Sequence, residues 1–305
     1  MGGDRIHHAS CEDLCALPDG SVALTVTSPP YWNAIDYDVH STEGTEKNYR
    51  TRAYAEGFTD YPDYLAWLTR IFEGVYRKTA DGGFAAIVAG TVLLEGRHYP
   101  VPMDVTTRLV SSGWDFHQDI VWHKCTAGVK RAGVFIQKPY PGYFYPNIMT
   151  EYILVFRKPG PAAYAGRSDE ERAQAAVDID AVFTKETANN VWHVAPVPPG
   201  HLDHPCPFPE EIPYRLIRLY SYPGDVVLDP FAGSGQTLKV ARALGRAAVG
   251  YETSETYVET ARKRLDEPLA LRKMQLSAKF EKIPWGPRAE SREPRAGKRG
   301  PRAES

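Results

Sequence analysis

Short β-branched runs bounded by Gly and Pro alternate along this chain with longer segments whose apolar residues recur every three or four positions. "SVALTVT" (21–27) lies between Pro18-Asp19-Gly20 and Ser28-Pro29-Pro30, which predicts a buried strand ending in a stiff loop. From Tyr61 to Lys78 the spacing of Leu65, Leu68, Ile71, Phe72 and Val75 predicts a helix, with Asp60 as its cap and Pro62 in its first turn. "GGFAAIVAG" (82–90) reads as a second buried strand, 101–112 as a helix stopped by Gly113, and "DFHQDIVWHK" (115–124) as an alternating strand. A strand, helix, strand, helix, strand order predicts a mainly parallel sheet covered on both faces.

Periodicity fails between 125 and 150, where Lys130, Arg131 and Lys138 mix with the rings of "KPYPGYFYP". "EYILVFRK" (151–158) returns as a strand. Residues 159–190 are polar, with a short helix expected around "DEERAQAAV", and 195–209 are rich in proline; both stretches read as insertions carried by the sheet. The last third is regular again: strand 225–229, helix 235–245 closed by Gly245, strand 247–252, and helix 254–265 opened by Ser254. Beyond Trp285 the motif "GPRAES" occurs at 286–291 and 300–305 among further Arg, Lys and Pro, the composition of a disordered basic tail.

With 305 residues and 43% hydrophobic content, the chain has enough apolar material for one large α/β domain or two modest ones. No apolar run approaches the roughly 18 residues that span a bilayer, and no basic region followed by an apolar segment opens the sequence, so a cytoplasmic, membrane-free protein is expected. Cys11, Cys15, Cys125 and Cys206 show no Cys-x-x-Cys spacing and read as reduced and structural. His7, His8, Cys11 and Cys15 lie close in sequence, but a strand and turn point alternate residues apart, so no metal site is expected there. The net charge of −2 exerts no broad pull on nucleic acid, so a polyanionic partner would need local basic patches.

Two loops carry the candidate chemistry. "VVLDPFAGSGQT" (226–237) is a strand ending in an acid, a Gly-rich turn and a helix start, an arrangement that admits a ligand close to backbone donors. A phosphate loop would want Gly-Lys where Gly235 is followed by Gln236, and a dinucleotide fold would want Gly or Ala where Leu238 stands. The remaining option is a nucleoside ligand without phosphate, such as S-adenosylmethionine, and Glu252 at the end of the next strand suits ribose hydroxyls. In "TSPPYW" two prolines stiffen the loop and remove backbone donors, leaving the Ser28 hydroxyl and Pro29 carbonyl to accept from an amine, with Tyr31 as a stacking face. Both loops follow strands and are expected at one crevice.

"TSPPYW" resembles the catalytic motif of the DNA amino-methyltransferases, and "DPFAGSGQT" resembles their S-adenosylmethionine loop. Catalytic loop first and cofactor loop near the C-terminus resembles the beta group of that family. "HPCPFPEEIPYRLI" (204–217), "IVWHK" and "EYILVFRK" are similar to further family segments, and the likeness runs over residues 5 to 267. It implies a doubly wound, mostly parallel, seven-stranded Rossmann-like sheet of α/β class: a catalytic half over 1–124, an inserted target-recognition region over 125–200 with its returning strand at 151–158, a cofactor half over 201–270 and a tail over 271–305.

The resemblance further implies that Ser28, Pro29, Pro30 and Tyr31 bind and activate the target base. Asp229, Pro230, Phe231, Gly233, Ser234, Gly235, Thr237 and Pro209 would hold the cofactor, with Glu252 on its ribose. Ser10 stands where the family usually carries an Asp near the cofactor's adenine, so a charge-assisted contact is replaced by a hydroxyl. Ser in the first motif position implies cytosine N4, where Asp would imply adenine N6. Trp32, Lys124, Lys130, Arg131 and Lys138 are candidate DNA contacts. Duplex DNA is the implied partner, with a cognate restriction endonuclease and either a monomer or a homodimer. Rival readings are adenine N6 methylation, an RNA or protein-glutamine substrate, and a DNA-binding protein without activity.

Overall fold

The computed structural model describes residues 5–32, 58, 60–94, 97–124, 141, 148–180, 182–197 and 208–271. Ten strands are described: β1 (Arg5–His8), β2 (Val22–Thr27), β3 (Thr79–Ala89), β4 (Val92–Leu94), β5 (Arg97–Tyr99), β6 (Asp115–His123), β7 (Thr150–Arg157), β8 (Val191–His193), β9 (Val226–Asp229) and β10 (Ala247–Glu252). The α-helices are α1 (Tyr61–Lys78), α2 (Val101–Ser111), α3 (Asp169–Ala175), α4 (Glu211–Tyr220), α5 (Gln236–Ala243) and α6 (Glu255–Arg264), with a π-helical turn at Phe183–Thr187. None of these helices is long and apolar enough to cross a membrane.

Eight described strands form one sheet in the order β1-β10-β9-β2-β3-β7-β6-β8, while β4 and β5 form a separate ribbon. Among the sheet strands β7 alone runs antiparallel, pairing β3 and β6 on its two sides. The expected sheet has seven strands; the eighth is β8, which extends the sheet by parallel pairing with β6 through Val121↔Val191, Trp122↔Trp192 and His123↔His193. Three residues are too few to show an alternating pattern, but Trp192 is fully buried and seats the strand.

Period-two alternation in the strands divides the apolar side chains between two layers. Leu24, Val26, Ala86, Val88, Ile153 and Val155 face Ile212 and Leu216 of α4 and Leu238 of α5. Ala85, Ile87, Leu154 and Phe156 face Leu68, Phe72 and Val75 of α1 and Leu109 of α2. Helix α1 has the start its sequence predicts: the Asp60 carboxylate accepts from Asp63 N at 2.9 Å, and a proline occupies the first turn. Helix α3 begins with a reciprocal capping box between Ser168 and Glu171. The predicted tail lies outside the described residues apart from Leu271.

Trp192→Ala empties a fully buried site and is expected to cost about 3–5 kcal/mol of stability. Chemical denaturation would show a lowered midpoint, and hydrogen exchange would speed at Val121–His123, the segment β8 pairs with.

Candidate active site

Because β1, β10, β9, β2, β3 and β6 share one direction, their carboxyl ends lie along one edge. There the sequence-predicted residues converge: Glu252 closes β10, Asp229 closes β9 and Ser28 follows β2; Gly90, which the sequence did not single out, follows β3. Ser10 follows β1, whose next residue, Ala9, donates its N–H to the Glu252 carbonyl at 3.0 Å. The Ser10 hydroxyl accepts from Glu12 N at 3.2 Å.

Asp229 is 1% exposed. Its Oδ1 accepts from Thr27 Oγ1 at 2.6 Å and from Phe231 N at 3.1 Å, tying the end of β9 to the residue before Ser28. Burial pushes the carboxyl up to about 6, and repulsion from Glu252 adds to the rise; hydrogen bonds from Thr27, Thr237 and Phe231 oppose it. Glu252 is also buried; its two oxygens accept from Gly233 N at 2.9 Å and Ser254 N at 2.8 Å. Each carboxylate oxygen has more than one lone pair, so this acid can shape the Gly-rich turn and still accept from a ligand.

The turn leaves no room for a side chain at Gly235. Gly235 sits at φ +79°, and a Cβ there would lie 2.8 Å from the Ala261 Cβ of α6, so both backbone angle and helix contact require glycine. Pro230 is buried, and Phe231 packs against Trp67 with ring centroids 5.6 Å apart. Thr237 Oγ1 donates to Val26 O at 3.1 Å, a second link to β2. Behind the turn, Arg264 of α6 donates to Ser234 O at 2.7 Å, to Ser234 Oγ at 3.1 Å and to Gln236 Oε1. Gln236 Nε2 passes the connection to Phe208 O at 3.0 Å, fixing the segment that includes Pro209. Lys239 is buried and ion-paired to Glu210 at 2.7 Å, so its charge is engaged within the protein.

Ser28 Oγ donates to Val88 O at 3.4 Å. The Pro30 carbonyl accepts from the Tyr64 hydroxyl at 2.8 Å, so α1 holds the proline loop from behind. Trp32 sits in a ring cluster, 5.7 Å from Tyr61, 5.9 Å from Tyr64 and 6.1 Å from Tyr99. Lys124 is turned inward, ion-paired to Glu151 and 4.9 Å from the Trp122 ring. Lys130, Arg131 and Lys138 lie outside the described residues. Sequence reading missed Thr27, Tyr64, Trp67, Gln236 and Arg264. Tyr64 falls four residues before Leu68 on the buried stripe and was legible as such; Arg264, in a basic run, reads as a solvated helix end.

A family model described as DNA methylase (N6_N4_Mtase) matches residues 22–263. The chain belongs to this DNA methylase family. It is 31% identical over 282 residues to the Type II methyltransferase M.MthZI of Methanothermobacter thermautotrophicus, covering 88% of this chain and 78% of the relative. To the Type II methyltransferase M.MjaI of Methanocaldococcus jannaschii it is 29% identical over 280 residues, covering 83% and 88%. A crystal structure from Thermus thermophilus, described as a DNA modification methylase complexed with S-adenosyl-L-methionine, superposes with a TM-score of 0.66 at 32% identity, covering 86% of this chain and 93% of that one. The PvuII DNA methyltransferase, cytosine-N4-specific, shares the fold with a TM-score of 0.62 at 18% identity over 87% of each chain.

In this methylase Tyr64→Phe removes the donor that holds Pro30. It is expected to cost about 1 kcal/mol of stability in thermal melting and to slow methyl transfer at saturating substrate by about tenfold or more, because a small displacement of a positioning loop is amplified in rate.

Proposed function

We propose that this methylase transfers a methyl group from S-adenosyl-L-methionine to the exocyclic N4 amine of a cytosine extruded from duplex DNA. The observation that supports the reading is the hydrogen bond between the strand ends that lead into the two loops, Thr27 Oγ1 to Asp229 Oδ1, which sets the acidic Gly-rich turn beside the proline loop with its hydrogen-bond acceptors. The chemistry of the cradle fits the cofactor. Two buried carboxylates, Asp229 and Glu252, end adjacent strands, while Lys239 and Arg264 are engaged with Glu210, Ser234 and Gln236. That favours a cationic nucleoside over a phosphorylated one. Asp229, Pro230, Phe231, Gly233, Ser234, Gly235 and Thr237 would form the methionine side, Glu252 would accept from the ribose hydroxyls, and Ser10 and Pro209 would border the adenine.

S-adenosyl-L-methionine supplies a methyl group activated by its sulfonium charge. Ser28 Oγ and the Pro29 carbonyl would accept from the amine, drawing its lone pair out of conjugation and toward the methyl carbon. The methylated nitrogen, positively charged after transfer, would lose its extra proton to solvent, with Ser28 Oγ only accepting a hydrogen bond from it before the proton leaves. Tyr31 would stack on the extruded ring. Catalysis is then orientation and fixed dipoles, without a covalent enzyme intermediate. The region 125–200, with Lys130, Arg131 and Lys138, is proposed to read the DNA site, Trp32 to buttress the base pocket, and the basic tail from 271 to add sequence-independent affinity. The curated relatives named Type II methyltransferases support a role in restriction and modification beside an endonuclease.

Nucleoside mass spectrometry of plasmid DNA treated with the chain and cofactor should reveal N4-methylcytosine, absent with Ser28→Ala. N6-methyladenine would keep the family and overturn the base assignment. Cofactor affinity should carry the titration of Asp229. With a carboxyl near 6, the ionised form that a cationic ligand prefers is lost as pH falls, so binding at pH 5 should be about tenfold weaker than at pH 8, and Asp229→Asn should flatten that dependence in calorimetric titrations. The same elevation acts on the apo fold in a fixed direction. A folded carboxyl above its unfolded value of 3.8 binds the extra proton in the native state, so its contribution to stability declines as pH rises from about 4 to about 6.

A further inference from the structure

Gly90, the first residue beyond β3, lies between the catalytic loop and β7. A Cβ at this position would come 3.2 Å from Cγ of Glu151 and 3.3 Å from Cε2 of Tyr31, so both side chains converge on the one bare position there. Glu151 is ion-paired to Lys124, and the two side chains are only 12% and 11% exposed. Lys124 is further packed 4.9 Å from the Trp122 ring, and its backbone N–H donates to Met149 O at 2.9 Å. The antiparallel register brings Trp122 opposite Glu151, so the pair bridges β6 and β7 at the edge that carries Ser28.

A buried ion pair is a costly way to fasten two strands, since apolar side chains of similar size would do so without desolvation. In a pocket sheltered from water, however, its two charges offer a polar wall to a planar ligand whose rim carries both donors and acceptors. We propose that the Glu151–Lys124 pair is a positioning device for the target base: it forms the wall of the base pocket behind Tyr31 and fixes where that ring stands when a base is extruded onto it. This rests on the base-extrusion reading above. Gly90 is part of the same device, because a Cβ there would press on both the Tyr31 ring and the Glu151 chain, at 3.3 and 3.2 Å. Lys124 thereby acts at the base pocket and not on a backbone phosphate.

The test uses the full chain, plasmid DNA and radiolabelled S-adenosyl-L-methionine, with thermal melting and cofactor binding recorded for every variant. Glu151→Gln and Lys124→Met are expected to lower kcat/KM for DNA by about tenfold or more while cofactor Kd stays within about twofold, and Lys124→Arg is expected to return to within about threefold of the parent. Gly90→Ala keeps both charges but wedges a methyl between Tyr31 and Glu151, and it should reproduce the loss even if the charge variants fold poorly. Folded variants whose kcat/KM for DNA matches the parent, or whose loss follows a matching loss of cofactor binding, overturn the proposal. A parent chain that methylates no DNA base would instead bring down the base-extrusion reading, and the proposal with it.

Discussion

The hydrogen bond from Thr27 Oγ1 to Asp229 Oδ1 is the contact on which the site is assembled. It joins residues 202 positions apart in sequence and is buried on all sides. Its two partners end neighbouring parallel strands, so the bond fixes both the lateral and the axial position of the proline loop relative to the Gly-rich turn. A buried acid without such donors would sit protonated in the interior. The carboxyl of Asp229 is instead held at about 6 by burial working against three hydrogen bonds, close enough to neutrality to respond to what binds beside it.

Around that bond the two loops are supported by different materials. The proline loop rests on aromatic rings of α1: Tyr64 holds Pro30, and Trp67 of the same helix touches Phe231 of the Gly-rich turn. One helix therefore braces both loops, which ties their spacing to a rigid element. The Gly-rich turn is backed by charge: Arg264 grips Ser234 and Gln236, and Glu210 holds Lys239 and the Ala270 N–H. Helix α6 and the residues after it thus support the turn proposed to hold the cofactor.

The elements were legible where one face repeats. Helix α1 spans the residues its apolar spacing predicts, and β2, β7, β9 and β10 fall within a residue or so of their β-branched runs. The two loops were legible because proline pairs and glycine turns are rare needs with local signatures. What the sequence hid was pairing across distance: β8 is three residues around one buried tryptophan, and the Arg264 cluster looks from its neighbours like a solvated helix end. Lys124 belongs to the same class. Its sequence neighbours suggest an exposed phosphate contact, but a carboxylate 27 positions later turns it inward. Burial of a charge depends on where its partner lands, and no local pattern records that.

Strand β2 has β3 on one side and β9 on the other, and these partners differ greatly in when they become available. As the chain leaves the ribosome, β2 and β3 can pair early, but the other edge of β2 has no neighbour until residues 226–229 have been made. Through that interval a strand that ends up almost wholly buried presents an open row of backbone donors and acceptors, the condition that favours mispairing between nascent chains. Closing the site is therefore a late, long-range event, and folding should be slow for the chain's length.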